Sequence, residues 1–174
     1  MGVSTIPDTG GGSSGGAIGW TLIQAYVTDN TVGTYTFSSL SGYKMYKFIH
    51  YGDQNSANAI RYIRLNGVST SAYSTYGTQL NTATWAGKGI LTTGISTNAS
   101  DANTGTYTGT VIIDNALSSD MKDFVYTRNI DGTLLGSMTL NGVIHSSITA
   151  ITSLTYAIAS GTLLNGRIAL YGGN

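Results

Sequence analysis

Histidine is the side chain best suited to acid–base catalysis near neutral pH, and this sequence contains two of them. His50 lies in an aromatic run three residues before Asp53, and His145 follows the Asn141-Gly142 pair. Hydroxyl residues are abundant, but no Gly-x-Ser-x-Gly elbow presents a serine as a nucleophile. We therefore expect both histidines to occupy ordinary strand or turn positions, and we predict that the protein is not an enzyme.

Paired carboxylates are the second arrangement that could do chemistry. A glycosidase needs two acids at a defined separation, and one of them needs a raised pKa. The sequence has no Glu, and its eight acids are all Asp. Six of them suit Asx-turns in predicted loops, namely Asp8, Asp29, Asp53, Asp101, Asp114 and Asp131. A glycan-processing enzyme is therefore the less favoured alternative.

Metal and cofactor sites have little support. The absence of Cys excludes a disulfide scaffold, a Cys-ligated zinc site, a thiol nucleophile and an iron–sulfur cluster. The stretch Asp101-Ala-Asn103-Thr-Gly105 resembles the start of an EF-hand loop, but it lacks the closing Glu and the flanking helices. We predict a surface turn there, no bound metal and no cofactor.

The composition predicts an all-β protein. Charged residues make up 9% of the chain, against roughly 25% in an average soluble domain. The long polar residues that cover helix surfaces are scarce. The apolar fraction of 41% and the 12 Tyr argue against a disordered coil, because they fall in short alternating runs. The length of 174 residues suits one domain.

Strands are predicted where β-branched and aromatic residues alternate between turn signals. These segments are Trp20–Thr28, Thr34–Phe37, Tyr43–Tyr51, Ala59–Leu65, Gly89–Thr93, Gly105–Asp114, Lys122–Asn129, Leu134–Leu140, Ile148–Ala159 and Arg167–Tyr171. Asn66-Gly67 and Asn141-Gly142 are predicted turns, and Ser69–Thr84 is a predicted long loop. The irregular spacing of the predicted strands indicates that residues 18–174 form a jelly-roll or Greek-key β-sandwich.

Residues 1–17 differ from the rest, because six of them are Gly and they include the only Pro. Such a segment buries too little apolar surface to offset its ordering entropy. We predict a flexible Gly-rich N-terminal arm, either a floppy terminus or a segment that becomes ordered on a neighbouring protein. The contact residues predicted for the second role are Pro7, Gly10, Gly11, Gly12, Gly15 and Gly16.

Three aromatic residues, Tyr73, Tyr76 and Trp85, stand among small polar residues in the predicted loop region. Exposed aromatics in such a setting can stack on sugars or contact a partner protein. The alternative is that they cap one end of the sandwich.

The charge pattern bears on partners. The formal net charge is zero, which leaves no electrostatic footprint for nucleic acid. No apolar run approaches the roughly 20 residues that span a bilayer, so membrane insertion is not expected. A surface with so few charges tends to associate, and a symmetric homo-oligomer is the simplest outcome.

Several short motifs, in their order along the chain, resemble the jelly-roll domains of tailed-bacteriophage virion proteins. They are Trp20-Thr-Leu-Ile, Phe37-Ser-Ser-Leu-Ser-Gly-Tyr43, Arg61-Tyr-Ile-Arg-Leu-Asn-Gly67 followed by Ala72-Tyr73-Ser74, Ile148-Thr-Ala-Ile-Thr and Gly166-Arg-Ile-Ala-Leu-Tyr-Gly172. The resemblance covers most of residues 19–174 and brings no catalytic residues with it.

The resemblance implies a structural virion protein, with two roles open. One is a capsid decoration (cement) protein that binds the major capsid protein or other virion proteins as a homotrimer on the virion exterior. The other is a tail-fibre or receptor-binding tip that binds a host surface glycan. The short chain leads us to expect the first role, since a tail tip more often ends a long fibre polypeptide.

Overall fold

The computed structural model describes residues 19–51, 61–81, 84–96, 106–131, 136–144, 149–159, 161–163 and 166–174. These residues contain no helix, and their strands confirm the all-β prediction. The strands are β1 (Trp20–Thr28), β2 (Thr34–Phe37), β3 (Met45–Tyr51), β4 (Arg61–Leu65), β5 (Tyr73–Asn81), β6 (Thr84–Thr92), β7 (Ile95–Ser96), β8 (Thr106–Ile113), β9 (Lys122–Asp131), β10 (Gly136–Ile144), β11 (Leu154–Ile158) and β12 (Gly166–Gly173).

The strands form two antiparallel sheets that pack face to face as a β-sandwich. The large sheet has the order β1-β12-β3-β8-β9-β10-β5-β6, and the small sheet has the order β2-β11-β4-β7. Phe48 of the large sheet packs against two rings of the small sheet. Its ring centroid lies 6.1 Å from that of Phe37 and 5.1 Å from that of Tyr156. The core therefore lies between the two sheets.

Strand pairing is nested, so that early strands pair with late ones. β1 pairs with β12, β2 with β11, β3 with β8, and β4 with β7. Two hairpins are inserted into this pattern, β5–β6 and β9–β10, and both extend the large sheet beyond β8. The described residues thus contain 12 strands, more than the ten segments that the sequence predicts.

The alternation predicted for β3 is confirmed, and it sets which side chains enter the core. Tyr46, Phe48 and His50 are fully buried, whereas Met45 and Ile49 are only half-buried on the other face. Because side chains alternate with a period of two, a one-residue slip in register would exchange these two sets. Register is therefore strongly specified in this strand.

The loop predicted over Ser69–Thr84 is wrong, because β5 lies there. It pairs with β10 on one side and with β6 on the other. Its sequence, YSTYGTQLN, lacks a regular apolar alternation, and so gives no strand signal. Backbone pairing on both sides satisfies its peptide groups nevertheless. The two-residue strand β7 also escaped prediction, since it is too short to show a pattern.

The two Asn-Gly pairs have different fates. Asn66 and Gly67 both have positive φ, 51° and 69°, and form the predicted turn. Asn141-Gly142 is not a turn but lies inside β10, where Gly142 is paired with Phe124 of β9. A Cβ on Gly142 would overlap the Phe124 ring, so glycine there serves close packing.

Candidate interaction surface

The predicted contact residues fall into two groups. The arm residues Pro7, Gly10, Gly11, Gly12, Gly15 and Gly16 lie outside the described residues, and their contact role stays a prediction. Tyr76 and Trp85 belong to β5 and β6 rather than to a loop, at positions paired with Gly89 and Leu80. Their side chains lie outside the described part, and their role in binding also stays a prediction.

Tyr73 is an internal residue, so the prediction that it is an exposed contact is wrong. Its side chain is fully buried at the start of β5. The phenol oxygen accepts a hydrogen bond from the Leu65 amide at 2.9 Å and donates one to the Val68 carbonyl at 3.2 Å. Burial raises the pKa of the Tyr73 hydroxyl, and this neutral phenol joins β5 to the turn that follows β4.

His50 occupies a core position in β3, as expected from the sequence. It is fully buried, and its Nε2 lies 3.2 Å from the Tyr126 hydroxyl oxygen. Its ring stacks on Tyr126 and Tyr156 at centroid distances of 6.0 and 5.6 Å. A side chain enclosed in this way has no route to a substrate in solution. His145 lies outside the described residues.

The described Asp residues of the turns serve local structure. Asp29 Oδ1 accepts hydrogen bonds from the hydroxyl and the backbone amide of Thr31, which lower the pKa of the Asp29 carboxyl. Asp114 Oδ1 accepts one from the Asn115 amide at 2.6 Å. Among the described residues no group of three or more His, Cys, Asp and Glu side chains is placed to hold a metal. The stretch 101–105 lies outside that set.

The outward side of the large sheet carries an unusual number of apolar side chains, and we call it the apolar face. One row crosses five adjacent strands at paired positions, and it comprises Leu22, Tyr171, Lys47, Ile112 and Val125. Leu22 is 49% exposed and Val125 is 44% exposed. Apolar surface therefore reaches solvent at both ends of this row.

Two further rows of the apolar face run parallel to the first. One contains Ala25, Ala169 and Ile49, and the other contains Val27, Arg167 and Tyr51. On β8 and β9 these two rows continue into polar residues, Thr110 and Thr127 in the first and Thr108 and Asn129 in the second. Val27 is 67% exposed and Tyr51 is 61% exposed. Four of the six large apolar residues exposed in the described part of the chain thus lie on this face.

The cation in the middle of the apolar face is held against aromatic rings. Lys47 Nζ lies 4.5 Å from the Trp20 ring centroid and 5.0 Å from that of Tyr171. A cation over a ring face is attracted by the ring quadrupole, and the aliphatic stem of the lysine covers apolar surface. Lys47 therefore interrupts the apolar character of the row less than a free lysine would.

The outward side of the small sheet is polar by contrast. Thr36 and Thr155 form a hydroxyl–hydroxyl hydrogen bond of 3.0 Å across β2 and β11. Arg64 Nε donates to the Thr93 carbonyl at 3.0 Å, and its guanidinium lies 4.9 Å from the Tyr62 ring centroid. An antiparallel sheet that faces water shows this polar outer surface. The two outward faces of the sandwich therefore differ in kind.

Sequence reasoning missed the apolar face, although a signal was present. In β3 both alternating sets are rich in apolar residues, since Met45 and Ile49 oppose Tyr46 and Phe48. A strand with apolar residues on both sides is expected where both faces become covered. This signal identifies a strand that is covered on both faces. It does not reveal which of the two faces meets the second sheet.

The chain was compared with known protein families, curated proteins and solved structures. No family model, no curated protein and no solved structure matches the chain. Among the described residues there is also no helix with the length and apolar character needed to cross a bilayer.

Proposed function

We propose that this chain is a structural virion protein of a tailed bacteriophage, a capsid decoration protein that binds the outer capsid surface as a homotrimer. The observation that carries the proposal is the apolar face on a β-sandwich whose formal net charge is zero. A protein with such a face gains free energy by association, because apolar surface is removed from water.

The strand order supports the jelly-roll part of the proposal. A jelly roll is a long hairpin rolled into two sheets, so its first strand pairs with its last and each following pair lies further inside. Without the inserted hairpins β5–β6 and β9–β10, the remaining strands pair in this nested way. This agrees with the jelly-roll domains that the sequence motifs resemble.

The polar residues of the described part are used for structure, which favours a building block over a catalyst. His50 lies enclosed among aromatic rings, and Asp29 and Asp114 are hydrogen-bonded within turns. Lys122 is also buried, and its Nζ donates to the Ser118 and Asp120 carbonyls at 2.7 and 3.2 Å.

The Gly-rich residues 1–17 are the proposed capsid-binding arm. They precede β1, an edge strand of the large sheet that carries Leu22 and Val27 of the apolar face. Glycine allows the backbone to follow a partner surface closely, and such a segment pays its ordering entropy only on binding. The arm would therefore add capsid affinity without contributing to the fold.

Co-sedimentation with empty capsids that lack decoration tests this proposal. The full chain is expected to pellet with capsids, and a chain without residues 1–17 is expected to stay in the supernatant with an unchanged unfolding midpoint. A Thr34→Ser variant, changed on the polar outer face of the small sheet, serves as the control that keeps binding. Unchanged binding of the truncated chain would refute the arm mechanism, and failure of the full chain to bind would refute the decoration role.

The alternative role, a receptor-binding tip, is favoured by one observation. Tyr76 and Trp85 belong to the β5–β6 hairpin, which forms the edge of the large sheet opposite β1. Glycan-array binding that is lost in Tyr76→Ala and Trp85→Ala would support this role. Copy number separates the two, since a decoration protein is present in many copies per virion and a tail tip in few.

A further inference from the structure

We propose that the apolar face of the large sheet is the surface through which copies of this chain bind one another. The proposal deepens the homotrimer of the proposed function, and it rests on that proposal for the number of copies. It commits to a second copy of the chain as the occupant of this face.

The contrast between the two outward faces is the first argument. The small sheet has the polar outer face expected for contact with water, with Thr36, Thr155 and Arg64 on it. The large sheet exposes Leu22, Val27 and Val125 on its outer side instead. Contiguous exposed apolar surface of this kind marks an interaction site.

Three of the four sheet edges carry features that disfavour strand-to-strand association, and the fourth is β6, a strand of nine residues. β1 has a register shift between Leu22 and Gln24, and such a bulge disrupts the backbone pattern that another strand would need. The edge strands of the small sheet, β2 and β7, have four and two residues. Short edge strands disfavour edge-to-edge pairing.

The size of the face agrees with a stable contact between proteins. Five strands spaced about 4.8 Å apart, each with about eight residues rising about 3.3 Å, cover roughly 600 Å² in projection. Side-chain relief increases the accessible area beyond the projection. A stable interface buries about 800 Å² on each partner, so the outward surface of these five strands, with its threonines included, is of the right order.

The few charges on the face favour a copy of the same chain as the partner. Arg167 lies on β12, the second strand in the order of the large sheet, and Asp123 lies on β9, the fifth of its eight strands, and both are exposed. In a closed ring one copy contacts the next through two different parts of its surface. Opposite charges at separated positions allow Arg167 of one copy to pair with Asp123 of its neighbour, while Lys47 stays over its own rings.

Sedimentation equilibrium of purified full-length chain tests the inference. The wild type is expected to sediment at three times its 18.1 kDa mass. Val125→Asp and Val27→Asp place a carboxylate on the face at exposed positions and are expected to weaken association at least tenfold. Thr34→Asp places the same charge on the outer side of the small sheet, and this control is expected to remain trimeric. Circular dichroism confirms that each variant is folded.

A charge exchange provides a second readout that misfolding cannot imitate. Arg167→Asp alone is expected to weaken the oligomer, and the double variant Arg167→Asp with Asp123→Arg is expected to restore it. Recovery in the double variant would support the ring contact directly. A double variant no stronger than Arg167→Asp alone would overturn the pairing of these two residues.

The remaining outcomes separate this inference from the proposed function. A trimer that survives Val125→Asp and Val27→Asp but dissociates in Thr34→Asp would overturn the inference and leave the homotrimer standing. A wild-type chain that stays at 18.1 kDa up to high micromolar concentration would overturn both. A monomer whose capsid binding is lost in Val125→Asp would show that the capsid, not a second copy, covers the face.

Discussion

The phenol oxygen of Tyr73 lies 2.9 Å from the amide nitrogen of Leu65, eight residues earlier in the chain. The same oxygen lies 3.2 Å from the Val68 carbonyl, so one buried hydroxyl satisfies a donor and an acceptor of the chain around the β4 turn. Tyr46 is equally buried, but its hydroxyl has no hydrogen-bond partner among the described residues. The two tyrosines thus form a natural pair for measuring what a buried phenol contributes.

Tyr73→Phe is expected to lower the free energy of unfolding by about 1–3 kcal/mol, because it leaves the buried Leu65 amide and the part-buried Val68 carbonyl without their partner. Tyr46→Phe is the matched control. It removes a hydroxyl that is desolvated without gaining a hydrogen bond, so it is expected to be neutral or stabilising. Urea denaturation of both variants measures the difference, and an equal loss in both would contradict this account.

Alkaline pH is expected to destabilise the fold through the same two residues. Burial raises the pKa of both hydroxyls above 10.0, so the unfolded chain loses these protons first. Their contribution is complete below pH 10 and is lost as the pH rises through the folded pKa values, at about 1.4 kcal/mol per pH unit for each group. Denaturation midpoints between pH 8 and pH 11 give the slope.

Comparing the tyrosine variants with the wild type separates the alkaline loss of stability from an opposing effect of Lys122. Burial lowers the pKa of Lys122, so that residue adds stability as the pH rises towards 10.5. Tyr46→Phe and Tyr73→Phe should each show a shallower alkaline decline than the wild type. A wild-type slope that neither substitution changes would assign the alkaline effect to other groups.

Asn66 holds the segment before β11 by hydrogen bonds from both ends of its amide. Nδ2 donates to the Ala150 carbonyl at 2.9 Å, and Oδ1 accepts from the Thr152 and Ser153 amides at 2.8 and 3.1 Å. Asn66→Ala is expected to cost about 3 kcal/mol, since it removes these bonds and places alanine at positive φ. Asn66→Asp keeps the acceptor and should cost less. Thermal unfolding measures the loss of stability in both variants. A larger loss for Asn66→Asp than for Asn66→Ala would contradict this account.

Gly109 provides the space in which His50 and Tyr126 stack. A Cβ at this position would overlap His50 Nε2 and would lie 2.8 Å from Tyr126 Cε2. Gly109→Ala is therefore expected to lower the free energy of unfolding by about 1–3 kcal/mol through overpacking. Gly19→Ala is the control, because a Cβ there meets no described atom within 4 Å. A smaller loss for Gly109→Ala in a His50→Ala background would confirm that the two residues compete for space.

Local pattern was sufficient where a strand has one clear apolar alternation between turn residues. The predicted bounds of β1 and β2, Trp20–Thr28 and Thr34–Phe37, agree with the structure. Asn30, between them, has a φ of 67°, as a turn residue with a short polar side chain allows. The same reasoning failed at β5, whose small polar residues form a strand only because two neighbouring strands pair with it.

The candidate site was harder to predict than the fold class. Tyr73 and Tyr76 are the same residue type three positions apart in a polar stretch, and the sequence does not reveal that the first is buried beneath the β4 turn. The apolar face was not predicted as a unit, because its rows join residues as distant as Leu22, Ile112 and Tyr171. Such rows exist only once the register of every strand is set.

By itself, the amino-acid sequence determined the all-β class, the two alternating faces of β3 and the turn at Asn66-Gly67, because short-range sterics and side-chain periodicity act within a few residues. Only the tertiary structure decided that β1 pairs with β12, that Asn141-Gly142 lies within a strand, and that one apolar face meets the small sheet while the other is left outward. The period of two assigns side chains to a common face, but which face becomes covered depends on pairing between strands far apart in the chain.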